Sequence, residues 1–241
     1  MQKSCSIDIH QTCSSTMDLA QKWALSQESK NAHFIQAYTQ TLGRGKRERV
    51  WDSKKGNFFG TLVIPFSFEA KKRGEISFVA AVAIADIING LDSSLDLRLK
   101  WPNDFLIEKK KVGGVLLEYI EGKTSFLSIG VGFNLVSHPE KIESTCLVKH
   151  NININSDQFR ELFIEKMFHY YELWINKGFP HIRNLWIKKA ININEFINLS
   201  IGDEKIRGIF KGINDSGGLI LVRQNGEEKI FYTGEVFFDC E

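Results

Sequence analysis

LRLKWPNDFLIEKKKVGGVLLEYIEGKTSFLSIGVGFNL, residues 97–135, decides the fold. LRLKW (97–101) reads as a strand, and the remainder reads as three more, with turns at EKKK and EGKT. Short apolar and β-branched runs bounded by polar turn residues are the signature of strands. On the N-terminal side, EISFVAAVAIADIING (75–90) is apolar on nearly all sides, which predicts a buried helix stopped by its Asn-Gly pair. On the other side, SDQFRELFIEKMFHYYELWINKGF (156–179) carries helical apolar spacing up to Gly178, and HIRNLWIKKA (181–190) is a second, shorter helical piece. Farther out, SIDIH (6–10), AHFIQAYTQ (32–40) and NFFGTLVIPF (57–66) are strand-like. SSTMDLAQKWALSQ (14–27) is a helix that its Ser and Thr residues can cap. The expected class is α+β, a mixed β-sheet with helices.

The character changes near residue 193. NLSIGDEKIRGIFKGINDSGGLILVRQNGEEKIFYTGEVFFD alternates over short runs punctuated by GD, NDSGG and NGEE, which suggests a small β-barrel of about five strands. A domain boundary is expected at about 192.

With 241 residues, 43% hydrophobic and 25% charged, the chain suits one large soluble domain with a small appendage. A net charge of +2 argues against a protein that holds nucleic acid by its overall field. Cys5, Cys13, Cys146 and Cys240 form no CxxC pair, so reduced thiols in a cytoplasmic protein are expected rather than zinc or disulfides. No signal peptide is legible, and no segment reaches the ~18 consecutive apolar residues of a membrane span. The first strand is expected within ten residues, and no helix-turn-helix segment is expected before it.

Four segments could carry chemistry. QTLGRGKRERVWDSKKGN (40–57) places Gly43 and Gly45 among Arg44, Lys46, Arg47 and Arg49. Glycines let backbone N–H groups approach an anion and the cations neutralise it. A solvated surface loop, a nucleic-acid patch and a loop closing over a small anion all fit that composition; a Walker A loop does not, because Gln40 and Arg47 stand where Gly and Ser or Thr are required. In KWPND (100–104), Asn103 and Asp104 offer oxygens suited to a hard cation such as Mg²⁺, or simply make a turn. KVGGVLLE (111–118) sets Lys111 before a Gly pair, and GVGFN (130–134) puts Gly130 and Gly132 inside a strand, where a ligand can lie against the sheet.

The order of these motifs, SST (14–16), Q-x-x-GRGK-x-x-R-x-W (40–51), KWPND, K-x-GG-x-L-x-E and G-x-G-x-N, followed by a small barrel, resembles the biotin protein ligases over essentially the whole chain. The resemblance implies a class II aminoacyl-tRNA synthetase-like catalytic domain over 1–192 and an SH3-like β-barrel over 193–241. It implies activation of biotin by ATP with Mg²⁺ to biotinyl-5′-AMP, then transfer to one lysine of a biotin carboxyl carrier domain. It further implies the monofunctional form, without DNA, as a monomer or homodimer. By the same resemblance Ser15, Thr16, Gln40, Gly43, Arg44, Lys111, Gly113, Gly114, Gly130 and Gly132 would contact biotin, with Arg44 and Lys111 catalytic. Arg44, Lys46, Arg47, Arg49, Trp51, Asn103 and Asn134 would face the nucleotide, and Asp104 its magnesium. Met17 and Glu48 depart from the residues the family more often carries, and Lys46 stands where some members carry Arg. The rivals are a lipoate or octanoate ligase or transferase of the same architecture, a nucleic-acid-binding module, and a binding protein that has kept the fold without catalysis.

Overall fold

The computed structural model describes residues 5–27, 30–140 and 142–238, with Glu48 described by its backbone alone. The expectations for the Glu48 side chain and for Cys240 lie outside the described residues. The elements run β1 (Cys5–His10), α1 (Thr16–Ser26), β2 (Ala32–Ala37), β3 (Phe58–Pro65), α2 (Glu75–Leu91), β4 (Leu97–Lys100), β5 (Asp104–Ile107), β6 (Lys110–Ile120), β7 (Phe126–Phe133), α3 (Ser156–Lys177) and α4 (Phe179–Lys189). The seven strands form one mixed sheet in the order β1-β2-β3-β7-β6-β5-β4, in which only β1 and β2 are parallel.

The strand period of two sorts side chains between the two faces. On β7, Leu127, Ile129, Val131 and Phe133 enter the main core with α2 and α3, while Phe126 packs with Ala20 and Ala24 of α1 on the other face. Gly130 and Gly132 share that second face, where they leave the sheet bare. The β5–β6 turn has positive φ at both Glu108 and Lys109, the geometry of a two-residue hairpin turn, achieved here without glycine.

Helix α2 is apolar all round because it is enclosed by the sheet, α3 and α4. It is the helix whose length and composition would suit a membrane span, and burial accounts for both. It does not stop at Asn89-Gly90, as expected, but at Leu91, with the Asp92 N–H closing on Ile88. Gly90 has open space around it, so the helix continues through it on the solvent side.

Strands β8 (Phe196–Ile201), β9 (Glu204–Ile213), β10 (Leu219–Val222), β11 (Glu228–Phe231) and β12 (Glu235–Phe238) make a five-stranded antiparallel sheet in the order β11-β10-β9-β8-β12. Ile197, Leu199, Phe210 and Leu219 belong to the same hydrophobic core as α2 and β7. Trp101, 3% exposed, donates its indole N–H to the Gly217 carbonyl at 3.0 Å. The tryptophan of KWPND thus docks one domain on the other, and the two meet beside the turn that follows β4.

Candidate active site

A cavity of about 1060 Å³ opens on the α1 face of the sheet. Its floor is β6 and β7. Its walls are the start of α1, the basic segment, the KWPND turn, Pro139 with Ile142, Glu143 and Ser144, and the barrel strand β12. Glycines make the floor. A Cβ on Gly132 would stand 2.4 Å from the Trp51 indole, and one on Gly130 would stand 2.5 Å from the Met17 sulfur. Gly114 completes the floor beside Lys111 and Asp104.

At the α1 end, polar groups hold one another. Ser15 caps α1, its hydroxyl accepting the Met17 N–H. The Gln40 carbonyl oxygen accepts from the Thr16 backbone N–H at 2.8 Å and from the Thr16 hydroxyl at 3.2 Å. Thr61 donates to the Thr16 hydroxyl, and the Gln40 amide donates to Ser53. These side chains are fixed before any ligand arrives. Gly43 lies under this network, where a Cβ would meet Ser53 and the Trp51 carbonyl oxygen at 2.5 and 2.6 Å.

The basic segment is a hairpin. Gly45 donates to Arg49 and Trp51 to Gly43, and the tip at Lys46–Glu48 turns through a positive φ at Arg47. Two arginines clasp its ends. Arg44 makes two contacts of 2.9 and 3.0 Å with Glu118 of β6 and a third of 3.0 Å with Asp18 of α1. Arg49 grips Glu235 of β12 through both guanidinium nitrogens, at 2.7 and 2.5 Å, and Arg47 lies 3.9 Å from the same carboxylate. Arg49 holds the Glu235 carboxyl below the usual carboxylate range. Two-pronged pairs of this kind fix direction as well as position.

The opposite end, at the KWPND turn, gathers cations. Lys111 pairs with Asp104 at 2.7 Å and sits 5.4 Å from the Trp51 ring centre. Lys46 reaches the same region. Crowding by protein pulls its ammonium down to about 8, against the pull of Asp104 and with the push of Arg47 and Lys111. Although its surface stays largely open, its inner side faces these charges. Asn103 donates its amide to the Val115 carbonyl, so a ligand would meet its oxygen. Asn134, 3% exposed, donates to the Thr145 carbonyl and thereby ties the segment beside Ser144 to the sheet. Among the described residues no three His, Cys, Asp or Glu side chains gather as metal ligands. Asp104 with the Asn103 oxygen suits a hard cation delivered already bound to phosphates, the usual habit of Mg²⁺, and does not make a resident cage.

Of the residues the sequence singles out, Ser15, Thr16, Gln40, Arg44, Lys46, Arg47, Arg49, Trp51, Asn103, Asp104, Lys111, Gly114, Gly130, Gly132 and Asn134 line this one cavity. Gly113 does not. It turns to the other face, where a Cβ would stand 2.4 Å from the Phe133 ring, so its smallness serves the core. Sequence reasoning missed Asp18, Glu118, Lys100, Glu235, Phe237 and the wall at Pro139, Ile142, Glu143 and Ser144. No local signal ties Asp18 or Glu235 to the cavity, whereas Glu118 closes the K-x-GG-x-L-x-E motif. For Lys100, its place inside KWPND was the available signal.

A cleft of this kind, with a glycine floor, a prearranged polar end and a cation-rich end completed by a second domain, defines a class of protein that joins a small neutral-headed molecule to a polyanion. Residues 9–134 match the biotin/lipoate A/B protein ligase family and residues 193–239 match the biotin protein ligase C-terminal domain. The biotin–[acetyl-CoA-carboxylase] ligase of Paracoccus denitrificans is 32% identical over 216 residues, covering 85% of this chain and 90% of that protein. The bifunctional ligase/repressor BirA of Escherichia coli is 29% identical over 224 residues, covering 87% of this chain and 67% of its own. The fold matches a biotin protein ligase from Aquifex aeolicus, solved with biotin and ATP, at a TM-score of 0.82 and 22% identity, over 96% of this chain and 97% of that one. The chain belongs to the biotin/lipoate A/B protein ligase family, on its biotin protein ligase branch.

Proposed function

We propose that this protein is an ATP-dependent biotin–protein ligase, which makes biotinyl-5′-AMP and pyrophosphate and then passes biotin to a lysine of a biotin carboxyl carrier domain. The observation that carries the reading is Lys111, paired with Asp104 where the glycine floor meets the cation-rich end. A carboxylate and the α-phosphate of ATP are both anions. Their approach needs fixed positive charge where the transition state gathers negative charge. Lys111 and Lys46 supply it. One carboxylate oxygen bonds to the α-phosphorus and the bond from that phosphorus to the α,β-bridging oxygen breaks, its electron pair leaving with pyrophosphate. In the second step the neutral amine of the acceptor lysine attacks the acyl carbon, AMP departs, and the amine sheds one proton.

ATP is the substrate as its magnesium complex, and Asp104 and the Asn103 oxygen are the groups that would hold the ion, which screens phosphate charge when bound. The basic hairpin covers the mixed anhydride and keeps water from it. The polar α1 end favours biotin over lipoate. A ureido ring can exchange hydrogen bonds with Ser15, Thr16 and Gln40, whereas an apolar dithiolane would leave buried polar groups facing it. The free thiols of Cys5, Cys13 and Cys146 fit work in the cytoplasm. The test is ATP–pyrophosphate exchange with biotin, lipoate and octanoate in parallel. Exchange with biotin alone is expected. Exchange driven by lipoate or octanoate would reassign the substrate, and none with any acid would remove the adenylation reading.

A further inference from the structure

The cavity contains a lysine that neither the motif chemistry nor the first step uses. Lys100 ends β4, and its ammonium points into the cation-rich end. It lies 5.6 Å from the ring centre of Phe237 and 5.3 Å from that of Phe238, both on barrel strand β12. Among the described residues no carboxylate is within ion-pair distance of it. The nearby carboxylates are already engaged, Asp104 by Lys111 and Glu235 by Arg49. Lys46, Arg47, Arg49, Lys100 and Lys111 line this cavity with Asp104 and Glu235, whose carboxylates are taken up by Lys111 and Arg49.

We infer that Lys100 is a further catalytic residue, which binds the β- and γ-phosphates of ATP and receives the departing pyrophosphate, with Phe237 and Phe238 of the barrel holding its ammonium in place. The inference rests on the ligase reading and deepens it by assigning the leaving-group half of the cleft. The physical case is a charge count. Pyrophosphate carries away the charge of the β- and γ-phosphates together with the electron pair of the broken bridging bond, and the cations nearest Asp104 and Glu235 are already partly neutralised. Lys100 is not. Burial depresses its ammonium below the ordinary lysine value, with Lys111 and Arg49 pushing the same way and Asp104 and Glu235 opposing. A desolvated cation without a counter-ion gains more from an arriving phosphate than an exposed one. The two phenylalanine faces favour the charge while offering no acceptor that would compete with phosphate oxygens. As the bridging bond breaks, the electron pair stays on pyrophosphate, and Lys100 stabilises it by hydrogen bonding without giving up a proton.

The experiment separates the two half-reactions in Lys100→Met, Lys100→Gln and Phe237→Leu variants of the full chain. Exchange kinetics give KM for ATP, pyrophosphate and biotin, and single-turnover transfer from preformed biotinyl-5′-AMP to a carrier domain reports the second step. Removing the charge should raise KM for both ATP and pyrophosphate about tenfold or more, with biotin KM and the transfer rate within about twofold. Phe237→Leu should move the same two constants, by less. A pyrophosphate KM unchanged in both lysine variants would overturn the assignment, as would equal loss in the two half-reactions. Absence of biotin-dependent exchange in the unaltered protein would instead fail the ligase reading itself, so the two failures are distinct.

Discussion

The two ends of the cavity are built on opposite electrostatic plans. At the α1 end, Thr16, Gln40, Ser53 and Thr61 satisfy one another, and the one guanidinium nearby, Arg44, is held by Asp18 and Glu118. Little charge is left over. At the KWPND end, Lys46, Arg47, Arg49, Lys100 and Lys111 gather about Asp104 and Glu235, an excess of positive charge that suits an anion. On the proposed function, the first end would recognise shape and neutral hydrogen bonds, each worth about 1 kcal/mol net. The second would stabilise charge that exists only as the reaction proceeds, where fixed donors are worth several times more. A substitution should therefore announce by its kinetics which end it has touched.

The largest effect belongs to Lys111, which sits where the ends meet. Lys111→Met should cut biotin-dependent exchange roughly 10²–10³-fold, the usual cost of removing one preorganised donor. The loss should fall on kcat, with the protein still folded by circular dichroism. Loss confined to biotin KM would break the comparison, because it would make Lys111 part of the recognition end.

Gly132 comes next. Its missing Cβ makes room for the Trp51 ring, a rigid group that lies between Gly132 and Lys111. Gly132→Ala should displace the indole, and with it the wall of the recognition end, raising biotin KM on the order of tenfold through lost complementarity. Titration of biotin binding by calorimetry gives the direct check. An unchanged affinity would show that the indole is free to move.

Lys46 sharpens the contrast through pH. Its folded value of about 8 lies below the ordinary lysine value, so the free protein loses this charge as pH rises through 8. Bound phosphate favours the ammonium and restores it. The limb should therefore appear in kcat/KM for ATP, which reports the free enzyme, and not in kcat. A several-fold fall in kcat/KM between about pH 7 and 9 is expected, and Lys46→Arg should abolish it because arginine stays charged. The same limb in Lys46→Arg would assign it to another group.

The sequence made some of this visible and hid the rest for physical reasons. Strands β4 to β7 were legible because each is a short apolar run between polar turns, and the motifs sit on them. The period of two also separates Gly114 from Gly113, adjacent in sequence but on opposite faces of β6. Only Gly114 faces the cavity. The clasps could not be read locally. Arg44 and Glu118 are 74 residues apart, and Arg49 and Glu235 are 186 apart. Their meeting depends on sheet order and on the docking of the barrel, which Trp101 and Gly217 fix. Nothing in the GRGK segment itself reports that its arginines are pinned rather than free.

The smallest effect tests the recognition end where it should be most forgiving. Gly130, like Gly132, lacks a Cβ that would collide with a neighbour, here the Met17 sulfur at 2.5 Å. The distances are nearly equal, yet the neighbours differ. Methionine is unbranched, with three rotatable bonds, and its sulfur is the mobile part of the chain, whereas an indole moves as one plate. Gly130→Ala should therefore shift the Met17 side chain by a few tenths of an ångström and raise biotin KM by no more than about threefold. Phosphate-side constants should not move. If Gly130→Ala matched Gly132→Ala, the thioether itself would be part of the ring-binding surface, and Met17→Leu, which keeps volume but not reach, should then reproduce the loss.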